Sequence, residues 1–360
     1  MTTAHANTEK LLLNVLSGKG TGSYKRPPIW MMRQAGRYLA EYREVRAKAG
    51  DFLTLCYTPE YAAEVTLQPI RRYGFDGSII FADILVIPHA MGQNLWFEKG
   101  EGPKLDALKS PADIANLNAD IHEKLNPIYE SLRRVRAGLP EETTLIGFCG
   151  APWTVACYML NGKGSKNWAE VRRFAYQDPQ GLRAMLDVLV EKSAAYLCRQ
   201  IEAGADVVKV FDSWAGSVPP QFQDLLVIEP MVNIARKVKA QHPHTPVMLF
   251  PRGVSPQVLQ KLACMDGFDA LALDEQTDLQ WAVENIAPYK AIQGNMDNAV
   301  LLTNPETVKT EITKILQTAG HLENFVVNLG HGVLPETPVE NVAMFVETVQ
   351  NWQQKKEKTA

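Results

Sequence analysis

Two arginines four residues apart, Arg33 and Arg37, follow an apolar run in WMMRQAGRYLAEYR (30–43), with only Gln34, Ala35 and Gly36 between them. Guanidiniums placed this way form either a solvated helix face or a site for an anion that arrives from outside. Asp83 raises a similar question. It lies in IIFADILVIPHAMG (79–92), with apolar neighbours on both sides, so its carboxylate needs a partner or a ligand. A structural acid that caps a helix or bonds backbone amides fits that position as well as a catalytic one. His331 stands in NLGHGVLPETP (328–338) between Gly330 and Gly332, which permit a tight turn and close approach of a ligand to the backbone. An imidazole there favours a functional role over a turn histidine. Tyr158 in GAPWTVACYML (150–160) fits a core or lid aromatic as well as a site residue. Ser213 in VFDSWAGS (210–217) has no local base and no G-x-S-x-G elbow, which disfavours a serine nucleophile.

These residues need elements to present them. Continuous apolar runs predict strands at 28–32, 78–83, 144–148, 207–211, 246–250, 270–274, 290–294 and 325–329. Their lack of alternation suits a parallel sheet covered on both faces. Helical patterns fall between them, at about 59–72, 168–176, 179–203, 220–240, 255–264, 278–286 and 305–318. Eight strands alternating with helices predict an α/β fold, a single (β/α)8 barrel with its site at the C-terminal mouth of the strands. A doubly wound open sheet is the alternative. YGFDGSII (73–80), AGADVVKV (203–210) and DGFDALAL (266–273) repeat one signature, Gly-x-Asp just before a strand. The residues that follow each strand should gather at the mouth. They are Arg33, Gln34 and Arg37; Asp83; Gly150, Pro152, Trp153 and Tyr158; Asp212 and Ser213; Arg252; Asp274; Asn295 and Asp297; Asn328 and His331. No Pro-, Gly- or Ser-rich linker divides the chain. One domain is expected over 1–360, with a core at about 8–352 and a frayed polar tail at 353–360.

Composition narrows the function. A formal net charge of −3 argues against a general nucleic-acid binder, but not against a local basic pocket. The five cysteines are odd in number, widely spaced and without a CxxC pair, which suits reduced thiols rather than disulfides or a thiolate metal site. The polar start MTTAHANTEK lacks the apolar stretch of a secretory signal, and no run is long enough to span a bilayer, so a cytoplasmic protein is expected. SGKGTGS (17–23) and NGKGSK (161–166) imitate phosphate loops. Gly follows Lys19 and Lys163 where Ser or Thr is required, so they read as flexible basic loops. There is no GxGxxG after a strand and no HExxH.

PIWMMRQAGRYLAEYR, SIIFADILVIPHAMG, GFCGAPWTVACYML, VFDSWAG, QGNMD and NLGHGVLPETP, in this order over about 27–345, resemble the signatures of the uroporphyrinogen decarboxylase family of haem biosynthesis. The resemblance implies a distorted (β/α)8 barrel that works as a homodimer without metal or organic cofactor. It implies a tetrapyrrole substrate, uroporphyrinogen III, whose four acetates become methyls to give coproporphyrinogen III and four CO2. Carried over by position, Arg33, Gln34, Ala35, Gly36 and Arg37 contact substrate, and Asp83 sits at the cleft centre against the pyrrole N–H groups. Tyr158, Ser213 and His331 fall on the remaining pocket positions and Phe211 on an aromatic contact. Asp83, Arg33, Tyr158 and His331 are the implied catalytic set. Two other readings compete. A corrinoid-linked methyltransferase on a related barrel needs a zinc site with a His-x-Cys pair, which is absent here. A non-catalytic tetrapyrrole carrier needs the arginines and an apolar wall, but not Asp83 and His331.

Overall fold

The computed structural model describes residues 9–98, 102–118 and 120–353. Most of the polar start and most of the tail anticipated from the sequence lie outside the described residues. Nine strands are described: β1 Gly77–Ile79, β2 Leu95–Glu98, β3 Gly102–Leu105, β4 Thr144–Gly150, β5 Val207–Asp212, β6 Val247–Pro251, β7 Ala270–Ala272, β8 Ala291–Met296 and β9 Phe325–Leu329. Seven of them form one parallel sheet in the order β1-β4-β5-β6-β7-β8-β9, and β2 and β3 form a separate antiparallel hairpin. Sequential order with helical crossovers is the path of a curled α/β sheet.

Seven of the eight expected strands are present. The first, 28–32, makes only an isolated parallel bridge between Ile29 and Val327. Side chains take most of the amides that a ladder would use. Ile29 N donates to Asp76 Oδ2 (2.8 Å), Met31 N to Gln34 Oε1 (3.1 Å) and Met32 N to Asn328 Oδ1 (3.1 Å). Only at Val327 of β9 does the segment exchange ladder bonds, Trp30 N donating to the Val327 carbonyl (3.4 Å) and Val327 N to the Pro28 carbonyl (2.8 Å), and side chains satisfy the other amides, as burial demands.

Strand side chains divide between two faces. Trp30, Ile146, Val207, Met248, Phe250, Ala270, Ala291 and Val326 form an inner cluster, joined by Leu11, Leu12, Val15 and Leu16 of the helix Leu11–Leu16. The outer faces pack against the helices in the main core. One inner position is not apolar. Lys209 of β5 is fully buried with its Nζ 4.9 Å from the Trp30 ring, 4.8 Å from Phe211 and 5.1 Å from Phe250. Burial drives its pKa far below that of an ordinary lysine.

The helix Pro179–Glu202 begins at its proline as expected, with Asp178 accepting from Gly181 N at the cap. The expected helix at 220–240 is instead three pieces: a 3-10 turn Pro220–Phe222, a π-helical turn Asp224–Ile228 and a helix Glu229–Gln241. The helices Ala40–Ala49, His122–Gly138 and Val339–Gln350 were not anticipated, nor was the β2–β3 hairpin.

The Gly-x-Asp echoes have a common role. Asp76, Asp206 and Asp269 each accept the amide of a residue starting a neighbouring segment: Ile29 N (2.8 Å), Leu145 N (2.8 Å) and Val247 N (2.7 Å). Each also pairs with a cation. Arg26 holds Asp76 (2.7 Å), Lys10 and Arg136 hold Asp206 (2.5 and 2.9 Å), and Lys239 holds Asp269 (2.8 Å).

Candidate active site

A cavity of about 440 Å³ opens at the C-terminal ends of the strands. Its floor is apolar, built from Met32, Ile79, Phe148, Phe211 and Phe250. Phe211 stands edge-on to both Phe148 (centroids 5.6 Å) and Phe250 (6.0 Å), which fixes its ring. Arg33, Ala35, Gly36 and Arg37 form one wall, and His331 with residues 332–335 another.

Local backbone explains how Arg33 reaches the cavity. Its φ of +62° is rare for a residue with a side chain, and it turns the chain out of the 28–32 segment. Opposite it, a Cβ on Gly332 would overlap the Arg33 side chain, so any larger residue there would displace Arg33 from its present course. Arg33 and Arg37 are both solvent-accessible, and neither pairs with a carboxylate among the described residues. Glu41, one helical turn after Arg37, is held instead by Arg72 at 2.8 Å. Although water reaches Arg33 through the open cleft, the surrounding walls lower its pKa, with Asp83 and Tyr158 acting the other way. It stays a cation at neutral pH.

Asp83 follows β1 and sits with one oxygen, Oδ1, accepting from Leu85 N at 2.8 Å. Burial pushes its carboxyl up to about 6, and the Leu85 amide and Arg33 restrain the rise. It is therefore mostly ionised at neutral pH. His331 is pushed down to about 4, first by burial and then by Arg33 and Arg252, against the pull of Glu275. Its imidazole is neutral at physiological pH. Tyr158 packs edge-on to Trp168 at 5.2 Å, and burial raises its phenol pKa. Ser213 also lines the cavity.

Nine of the ten anticipated site residues thus share one cavity. Gln34 does not reach it. Its side chain is fully buried, accepting from Met31 N and donating to the Gly77 carbonyl at 3.2 Å, so it holds the turn that carries the arginines. Several other strand-end polar residues also turn away from the cavity. Asp212 accepts from Thr154 Oγ1 (2.6 Å), and burial raises its carboxyl to about 7. Asp274 takes Gly253 N and Thr277 Oγ1, while Asn295 donates to the carbonyls of Asp274 and Thr277. Asn328 serves Met32 N and Leu329 N.

Sequence reasoning missed most of the apolar wall. Tyr42, Phe52 and Phe81 lie on it, as do Phe97 and Pro103 of the hairpin. Phe52 and Phe97 pack with centroids 4.4 Å apart. The NLWFEKGEGPKL stretch carries a readable hairpin signal, a short apolar run followed by a Gly-containing turn. The 161–166 loop lies against this hairpin, with Lys163 bridged to Lys104 and Leu105 N donating to the Gly162 carbonyl. Among the described residues, no group of three or more His, Cys, Asp or Glu side chains could hold a metal ion.

The arrangement is an apolar cleft with a half-buried carboxylate and two guanidiniums that pair with no carboxylate among the described residues. A family model described as uroporphyrinogen decarboxylase (URO-D) matches residues 7–352. The chain belongs to the uroporphyrinogen decarboxylase family. It is 47% identical over 344 residues to the uroporphyrinogen decarboxylase of Paracoccus denitrificans, covering 95% of this chain and 99% of that one. The corresponding protein of Sphingopyxis alaskensis is also 47% identical, covering 96% and 98%. Among solved structures, a methyltransferase from Methanosarcina mazei superposes with a TM-score of 0.78 over 94% of this chain and 96% of that one. At 21% identity that likeness speaks for the fold alone. No helix among the described residues is long and apolar enough to cross a membrane.

Proposed function

We infer that the protein decarboxylates the four acetate side chains of uroporphyrinogen III, yielding coproporphyrinogen III and four CO2 in tetrapyrrole biosynthesis. Family membership over 7–352 supports this, and the observation that carries it in the structure is Asp83 in an apolar cleft walled by Arg33 and Arg37. Anaerobic incubation with uroporphyrinogen III tests it. Stepwise loss of carboxyl groups ending in coproporphyrinogen is expected, and recovery of unchanged substrate would sink the reading.

Each site residue has a proposed role. Losing CO2 from an acetate leaves an electron pair that needs a sink. A pyrrole supplies one when the ring carbon beside the acetate-bearing position is protonated, making the ring cationic and iminium-like. CO2 then departs as its bonding electrons enter the ring. A proton added to the resulting exocyclic methylene makes the methyl, and the ring proton is lost. Each turn takes up one proton overall for each carboxylate lost as CO2. Asp83, ionised and close to the pyrrole N–H groups, would stabilise the developing positive charge in a low-dielectric cleft. Arg33 and Arg37 would anchor substrate carboxylates through paired N–H donors, with Ala35 and Gly36 shaping the turn between them. Phe211 offers its ring to the macrocycle, while Tyr158, Ser213 and neutral His331 supply polar contacts along the wall.

The sheet is read as a distorted eight-stranded barrel and the chain as one domain. Asp76 supports closure, because it binds the 28–32 segment as Asp206 and Asp269 bind true strands. A homodimer in the cytoplasm completes the reading, tested by sedimentation velocity and cell fractionation.

A further inference from the structure

Three strand ends converge beside His331. Arg252 follows β6, Glu275 lies just beyond β7, and His331 lies just beyond β9. Neither Arg252 nor Glu275 lines the cavity, yet they form an ion pair with Arg252 Nη2 2.8 Å from Glu275 Oε1. The other carboxylate oxygen, Oε2, is buried and makes no hydrogen bond. A buried carboxylate oxygen without a donor is costly, so its persistence calls for an explanation.

The chain around Gly330 supplies a partner. A Cβ on Gly330 would collide with the backbone N and Cα of Glu275, so the 330–332 turn lies directly on the Glu275 backbone. Gly330 N donates to the Met296 carbonyl at 2.8 Å, which pins the turn there. His331 is the next residue, and the electrostatic influence of both Arg252 and Glu275 reaches its ring. Its neutral imidazole carries one N–H and makes no hydrogen bond among the described residues.

We propose that Glu275, anchored by Arg252, is a positioning residue for His331: the two groups are not bonded in this structure, and rotation of the imidazole toward the unpartnered Oε2 would let that oxygen accept the ring N–H and so fix which ring nitrogen faces the cavity. The tautomer of a histidine is set by the bond its second nitrogen makes. Arg252 would occupy Oε1, leave Oε2 as the only acceptor, and keep the carboxylate ionised. The catalytic consequence rests on the decarboxylase reading above; the tautomer itself does not.

Two readouts test this separately. In the full-length protein labelled with nitrogen-15 histidine, the His331 ring signals are assigned by their loss in His331→Asn. One tautomer is expected in the parent protein, and a shift of those signals in Glu275→Gln. Unchanged ring signals in Glu275→Gln would overturn the proposal whatever the substrate. In anaerobic kinetics, Glu275→Gln is expected to lower kcat/KM about tenfold, in the range of coupled neighbouring residues. The same substitution made in His331→Asn should cost nothing further. Losses that multiply in the double variant would refute the coupling. A KM that falls in Glu275→Gln would instead make Arg252 an anion anchor restrained by Glu275, and would also refute it. Should Gln impair folding, Glu275→Asp keeps the charge, withdraws the carboxylate by one methylene, and should show the same coupling to His331.

Discussion

At the N-terminal ends of the strands, Asp76, Asp206 and Asp269 each hold a neighbouring amide and at least one cation. At the C-terminal ends, Asp83 accepts one amide, and Arg33 and Arg37 have no carboxylate partner among the described residues. The same residue types thus serve opposite purposes at the two ends. Paired charges tie one segment to the next and stabilise the sheet. Unpaired charges in the cleft cost stability and keep their bonding capacity for a ligand, as expected where function breaks a local rule.

The largest expected effect is at Asp83. Replacing it with Asn should lower decarboxylation about a thousandfold, the upper end for loss of one preorganised electrostatic contact. The same change should stabilise the fold at neutral pH. Folding raises this carboxyl from 3.8 to about 6, so the native state holds its proton more tightly than the unfolded chain does. Stability therefore falls as pH rises through that window, at a cost on the order of 3 kcal/mol above it. Asp83→Asn should melt a few degrees higher at pH 7, with the gain vanishing near pH 4. A lower melting temperature at pH 7 would break the contrast between the two ends.

Asp206→Asn should do the reverse. It loses two cations and weakens the bond to Leu145 N, so roughly 2–3 kcal/mol of stability should go in denaturant melts. Turnover per folded molecule should stay within twofold; a large loss of turnover would show that the two ends are not separable. Next in size is Arg37→Ala. KM should rise roughly tenfold or more with kcat little changed, the signature of lost anchoring. An unchanged KM would leave Arg37 as a surface charge.

A further expectation concerns pH. kcat/KM of the free enzyme should fall as pH drops through about 6, where Asp83 gains its proton, by about tenfold per unit below that. His331, pushed down to about 4, should add no limb between pH 6 and 8. An acid limb that persists in Asp83→Asn would assign it to another group.

Much of this was legible in the chain because it is local. Continuous β-branched runs give buried strands, a proline at a first turn gives a helix start, and the Gly-x-Asp repeats mark where strands begin. Motifs such as MRQAGRY and NLGHG carry their arginines, histidine and glycines together, so their residues could be grouped before any contact was known. The β2–β3 hairpin is less legible, because its paired runs are only four residues long, too short for periodicity to distinguish from loop.

What the sequence alone determined was therefore the inventory: an α/β chain, the candidate site residues and the kind of anionic ligand that would suit them. Only the tertiary structure decided which strand-end groups face the cavity. Arg33 points into the cavity while Gln34, its neighbour, ties two backbone groups, because a positive φ reverses the chain between them. Asp83 enters the cleft while Asp212 and Asp274 brace loops, and nothing in residue type separates them. The 28–32 segment bonds through side chains distant in sequence, and Lys209 meets, besides Phe211 of its own strand, the rings of Trp30 and Phe250 from two other segments. Periodicity sets the local element. Direction and partnership depend on register and on neighbours brought together by folding, and no local pattern contains them.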